Sequence, residues 1–220
     1  MVDFAQARRT MVDSQLRTFD VNDIPLLDAM DAVPRERFVP SGREDLAYID
    51  QNIQVADGPE ARFMLAPMVL GRMIQALDIE SGTKVLDVAC GRGYSSAILT
   101  RLGASVTALE ADEGAASVAR QALAAADVRN VDVTAGPLDK GHASGAPYDA
   151  ILVNGSVGVK PEFLLQQLGQ GGRLVCVQGQ GGSAQATLYV RSGDAFGART
   201  LFNAAAPALA AFQPKPGFVF

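Results

Sequence analysis

The sequence holds one histidine, two cysteines and no cluster of Lys and Arg longer than two neighbours. Each shortage removes a class of function. Tracking a phosphate backbone takes a basic patch, and with a formal net charge of −5 the chain offers none, so nucleic acid is not an expected partner. Cys90 and Cys176 are far apart and lack metal-ligand spacing, so they are expected to pack as small apolar residues, and no metal site is expected. His142 sits in Gly141-His142-Ala143-Ser144-Gly145, a loop composition, and is expected to be solvated rather than catalytic. No stretch approaches the ~20 apolar residues of a membrane span. The start, Met1-Val2-Asp3-Phe4, is acidic and amphipathic without an apolar signal core. The expectation is a cytoplasmic protein with no membrane partner.

What is present is ordinary for a globular α/β protein: 220 residues, 48% hydrophobic and 20% charged. That length supports one domain with a full core and a small appended lobe. Residues 1–80 read as a helical cap belonging to the same domain. Phe4, Ala7, Met11, Val12 and Leu16 recur at helical spacing. A second helix is predicted over Asp23 to Ala32, started near Asn22 and stopped before Val33-Pro34. A third runs from Pro67 to Ala76, and Ala56-Asp57-Gly58-Pro59-Glu60 is a loop signal.

Residues 81–220 change pattern. Val85–Ala89, Val106–Leu109, Val131–Thr134, Ala150–Val153 and Arg173–Val177 read as strands. Helices at Tyr94–Leu102, Glu113–Ala126 and Pro161–Leu168 intervene. Such strand-helix-strand units predict a doubly wound, mostly parallel sheet of Rossmann-like type. Thr187–Arg191 adds a strand, and Phe218-Val219-Phe220 is expected to form one more or a packed tail.

In such folds ligands sit beyond the carboxyl ends of the strands, where strand order reverses. The first of these strands runs into Asp87-Val88-Ala89-Cys90-Gly91-Arg92-Gly93-Tyr94. Its paired glycines let backbone approach a ligand closely. Glu110 closes the second strand, placed to accept both hydroxyl hydrogens of a ribose. A dinucleotide and S-adenosylmethionine (SAM) both suit this outline. Asp87 separates them, because a carboxylate four residues before Gly91 would weaken a pyrophosphate site at the helix N-terminus. SAM carries no phosphate, and its ammonium and sulfonium are positive. SAM is therefore the expected cofactor, with NAD disfavoured.

These residues also resemble the protein-L-isoaspartate O-methyltransferases over most of the chain. Met11-Val12-Asp13-Ser14-Gln15-Leu16-Arg17 is similar to that family's N-terminal helix signature. Val33-Pro34-Arg35-Glu36-Arg37-Phe38-Val39-Pro40 matches its V-P-R-x-x-F-V-P segment, which generic methyltransferases lack. Ala47-Tyr48-Ile49-Asp50, Pro147-Tyr148-Asp149-Ala150-Ile151 and Gly171-Gly172-Arg173-Leu174-Val175 resemble further family segments. The resemblance implies methyl transfer from SAM to the free carboxylate of isoaspartyl residues in damaged proteins or peptides. The expected cofactor-binding positions are Asp87, Ala89, Gly91, Gly93, Tyr94, Glu110, Ala111, Pro137, Leu138 and Asn154.

Three positions depart from the family pattern. The family's T-I-S-Q-P segment, whose serine faces the acceptor, reads Phe63-Met64-Leu65-Ala66-Pro67 here, so Leu65 stands at the serine position and no catalytic residue is assigned. Ala89 stands at the family's first glycine, a change suited to an ordinary backbone torsion. Pro137 aligns with an acidic residue near the adenine amine. Two further readings follow from Leu65: a SAM methyltransferase with another carboxylate or small acceptor, and a SAM-binding protein that no longer transfers.

Overall fold

The computed structural model describes residues 2–57 and 61–214. The expected strand at Phe218-Val219-Phe220 and three residues of the loop after Asp57 lie outside them. Helix α1 (Phe4–Met11) is capped by Asp3, whose carboxylate accepts from Gln6 N at 3.0 Å. It continues as a π-helical stretch over Val12–Leu16, burying Met11, Val12 and Leu16. Helix α2 (Ile24–Ala32) is capped by Asp23, which accepts from Leu26 N at 2.9 Å. The cap falls one residue beyond the expected Asn22, whose backbone N instead donates to Gln75 Oε1.

A two-stranded antiparallel hairpin follows, β1 (Ile53–Ala56) and β2 (Arg62–Met64), and then helix α3 (Pro67–Leu77). The hairpin adds two strands to the helical cap expected over the first 80 residues. Strands of four and three residues are too short for an alternation of period two to stand out from a loop.

The main sheet contains β3 (Lys84–Val88), β4 (Ser105–Glu110), β5 (Val131–Ala135), β6 (Tyr148–Val157), β7 (Leu168–Gln178), β8 (Gln185–Ser192) and β9 (Ala195–Asn203) in spatial order β5-β4-β3-β6-β7-β8-β9. The pairs from β5 to β7 are parallel, and β8 and β9 are antiparallel additions. Strand β9 carries no clear signal in the sequence, because this edge strand is largely exposed and lacks apolar alternation. The helix expected over Pro161–Leu168 is one turn, α6 (Glu162–Leu165), and β7 starts at Leu168.

Successive strand residues point to opposite faces, and the core divides accordingly. Val85, Val106, Ala108, Leu152 and Val175 pack with α1 to α3, α4 (Tyr94–Arg101) and α5 (Glu113–Ala125) in one continuous cluster. Leu86, Val88, Leu109, Ile151 and Val153 face the other way, covered by Leu164 and Leu165 of α6 and by Leu209 and Phe212. Both faces are covered, one by five helices and the other by a single turn of helix and the chain near its end. Cys90 and Cys176 are both buried and free, as small apolar residues.

Candidate functional site

Strand β3 lies between β4 and β6, both parallel to it. This is where strand order reverses, and a crevice opens beyond the carboxyl ends. The turn leaving β3 is strongly shaped. Ala89, Gly91 and Gly93 all have left-handed torsions, with φ of 57°, 62° and 89°. A Cβ at Gly93 would lie 2.8 Å from Leu123 Cγ, so no side chain fits there. The torsion at Ala89 is not the ordinary one that an alanine suits. Holding it left-handed costs about 1–2 kcal/mol, against which Ala89 N donates to Leu109 O at 2.9 Å.

Asp87 is fully buried. Its Oδ2 accepts from Ser95 Oγ at 2.7 Å and Ser96 Oγ at 2.5 Å, and its Oδ1 from Asn154 Nδ2 at 2.7 Å. Burial pushes its carboxyl up to about 6, against the pull of these three donors. Asn154 belongs to β6 and also donates to Val88 O at 3.1 Å, tying the central strands together. The sequence reading counts both among the cofactor-binding positions. Both oxygens of Asp87 accept from neighbours in this chain, and Asn154 also lines the cavity described below.

Glu110, also fully buried, accepts from Gly91 N at 2.7 Å through Oε1. Its Oε2 accepts from Arg62 Nε at 2.9 Å and Ala111 N at 3.2 Å. One carboxylate therefore joins the glycine turn, the end of β4 and the hairpin. Arg62 gives no signal in the sequence, being a lone basic residue beside a loop, and its contact spans 48 positions.

The other expected positions spread around this centre. Tyr94 is buried, with its ring 5.6 Å from that of Phe38 and the Arg35 guanidinium 4.7 Å from its centre. Its face is thus turned to the N-terminal segment. Gly136 N donates to Glu110 O at 2.8 Å, which brings Pro137 to the end of β4, where it is exposed. Leu138 is buried beneath, in the cluster with Leu109 and Tyr148.

The stretch Leu65-Ala66-Pro67-Met68 is held from outside. Arg35 is completely buried, donating from Nε to Ala47 O at 2.6 Å and from Nη2 to Leu65 O at 2.7 Å. Asn52 Oδ1 accepts from Ala66 N at 2.9 Å, and Asp50 Oδ1 accepts from Met68 N at 3.2 Å. Leu65 is 1% exposed. Its side chain, with Phe38, Val55, Phe63, Met64 and Arg92, lines a small cavity of about 10 Å³ against the glycine turn.

A mostly parallel sheet with a left-handed glycine turn after its first strand and a carboxylate closing the second defines an α/β protein of the Rossmann-like methyltransferase fold. Comparison with known proteins narrows this. The model of the protein-L-isoaspartate(D-aspartate) O-methyltransferase family matches residues 7–203, and the chain belongs to that family. The protein-L-isoaspartate O-methyltransferase 1 of Rhodopseudomonas palustris (strain HaA2) is 39% identical over 182 residues, 83% of this chain and 73% of that one. The protein-L-isoaspartate O-methyltransferase of Methylorubrum extorquens (strain PA1) is 38% identical over 198 residues, 90% of this chain and 85% of its own. Among solved structures, a protein-L-isoaspartate O-methyltransferase superposes with a TM-score of 0.82 at 22% identity, covering 94% of this chain and 67% of that one. A putative one from Plasmodium falciparum, in complex with S-adenosyl-L-homocysteine, gives 0.75 at 16% identity, covering 93% and 98%. These two likenesses concern the fold.

Proposed function

We propose that this chain transfers a methyl group from SAM to the free carboxylate of isoaspartyl residues in proteins and peptides. The observation that carries the reading is Glu110, a buried carboxylate bonded to the glycine turn in a chain of this family. The residues suit SAM better than a dinucleotide. Two buried acids, Asp87 and Glu110, oppose a pyrophosphate but favour a cation. Glu110 is the acceptor for ribose hydroxyls, the Ala89–Gly93 turn lets backbone approach the ligand, and Phe63 to Pro67 form the acceptor wall. When bound, SAM supplies a methyl group on a positively charged sulfonium. The acceptor carboxylate is ionised at neutral pH, so no residue has to remove a proton. The chain's contribution is alignment, an effect worth up to ~7–11 kcal/mol. A cytoplasmic setting, and no nucleic-acid partner, remain part of this reading.

The test is methyl transfer to an isoaspartyl peptide beside its aspartyl twin. Labelled SAM is expected to methylate the isoaspartyl form at least tenfold faster. Transfer to neither, with SAM binding intact, would remove this reading. Leu65 favours a second one, a different carboxylate acceptor, because leucine donates no hydrogen bond and a site that loses such a donor loses discrimination. Leu65→Ser then serves as the diagnostic variant, assayed well below its melting temperature, since removing a buried leucine costs about 2–5 kcal/mol.

Cofactor binding is also expected to release a proton. A bound cation favours the charged form of Asp87, whose carboxyl lies near 6. Affinity for SAM should therefore fall about tenfold between pH 7 and pH 5, and titration calorimetry in buffers of different ionisation enthalpy should detect the proton. The effect on the stability of the unliganded fold runs the other way with pH. Because the folded value lies above the unfolded one near 4, stability from this group is greatest below pH ~4. It is lost as pH rises through about 6. An affinity flat over this range would separate Asp87 from the cofactor.

A further inference from the structure

We propose that Arg92 is the cation that receives a carboxylate in the transfer cavity, an inference that rests on the function proposed above. Arg92 stands in the turn between Gly91 and Gly93, half-buried, and lines the same cavity as Phe63, Met64, Leu65 and Asn154. Its Nε is buried and has no hydrogen-bond partner among the described residues. A buried donor left unmet costs about 1–3 kcal/mol, and a guanidinium fork matches a carboxylate in two parallel bonds.

Most of the neighbouring donors are committed elsewhere; Tyr94 Oη and Arg35 Nη1 are also buried without a hydrogen-bond partner among the described residues, but Tyr94 carries no charge and Arg35 does not line the cavity. Arg35 spends Nε and Nη2 on the carbonyls of Ala47 and Leu65, Arg62 Nε is on Glu110, and Asn154 Nδ2 is turned to Asp87 and Val88. Phe38, Val55, Met64 and Leu65 present apolar surface to the cavity. At the position where the family's serine would offer a hydroxyl, this chain has Leu65, and across the cavity it has a guanidinium. The reaction brings two carboxylates to such a place: that of the acceptor, and that of the methionine portion of SAM. Arg92 is the group here suited to either.

Arg92 is not among the residues with a left-handed torsion and is not in the core, so substitutions at this position leave the fold intact. The test uses Arg92→Gln, which removes the charge, and Arg92→Lys, which keeps the charge but not the fork. Three quantities are read: the Kd of SAM, the Kd of 5′-methylthioadenosine, which lacks the amino-acid portion, and the KM of an isoaspartyl peptide at saturating SAM. The expected result is a peptide KM raised at least tenfold in Arg92→Gln with kcat within twofold, both Kd values unchanged, and Arg92→Lys intermediate. SAM weakened at least tenfold with methylthioadenosine unchanged also supports carboxylate recognition, with the cofactor as its source. All three within twofold of the wild type, or both nucleosides weakened equally, would overturn it. If the wild type methylates no isoaspartyl peptide, the proposed function fails separately. The two nucleosides then decide alone, and an unchanged ratio counts against Arg92.

Discussion

Glu110→Ala is expected to lower the unfolding free energy by about 3 kcal/mol and to weaken SAM by roughly 1–3 kcal/mol, about five- to 150-fold. The stability loss follows from what the carboxylate holds. Gly91 N, Ala111 N and Arg62 Nε all donate to it within a region closed to water. Removing it leaves the two amides without that acceptor and takes a buried carboxylate from Arg62. The affinity loss follows from the proposed role of Glu110 as acceptor for the ribose hydroxyls at the end of β4. Chemical denaturation gives the first quantity and titration calorimetry the second. A variant that melts early but binds SAM normally would show that Glu110 is only a structural tie.

Arg62→Ala should separate the two effects by moving them in opposite directions. Nε of Arg62 occupies the Oε2 oxygen that a ribose hydroxyl would use. The cavity lined by the neighbouring Phe63 and Met64, about 10 Å³, is far smaller than the roughly 300–1,000 Å³ of ligand pockets. In the proposed binding mode Arg62 competes with the cofactor for Glu110. With alanine at this position the competition disappears. SAM is expected to bind about tenfold more tightly, the equivalent of one charge-assisted hydrogen bond of ~1.5 kcal/mol. Stability should fall, because Glu110 keeps its burial and loses a cation. A lower melting temperature with weaker SAM binding would mean that Arg62 contacts the cofactor instead of competing with it.

The features legible in the amino-acid sequence are those that depend on neighbours in the chain. Lys84 to Gly93 announces strand, turn and helix within ten residues, and Glu110 closes a strand of plain apolar character, so local pattern alone locates both. Contacts between distant positions leave no such trace. Nothing in the local pattern links Arg62 to Glu110, or Arg35 to a carbonyl 30 residues away. The V-P-R-x-x-F-V-P segment carries the family resemblance, yet the task of its arginine is visible only once Ala47 and Leu65 are seen around it. The short hairpin and the exposed strand β9 escape for want of alternation. Ala89 escapes for a different reason. Its composition suggests a regular torsion, and the turn imposes a left-handed one, which is a property of the whole turn rather than of the residue.

The three side chains that hold the loop at Leu65 give it an evolutionary freedom. Arg35, Asn52 and Asp50 bind its backbone, and none of those bonds involves the side chain of residue 65. The loop is a socket whose shape outlasts its occupant. The leucine here can be exchanged at the cost of local packing, while the three bonds that hold the loop are untouched. The side chain at position 65 can therefore vary without the scaffold having to be rebuilt around the change.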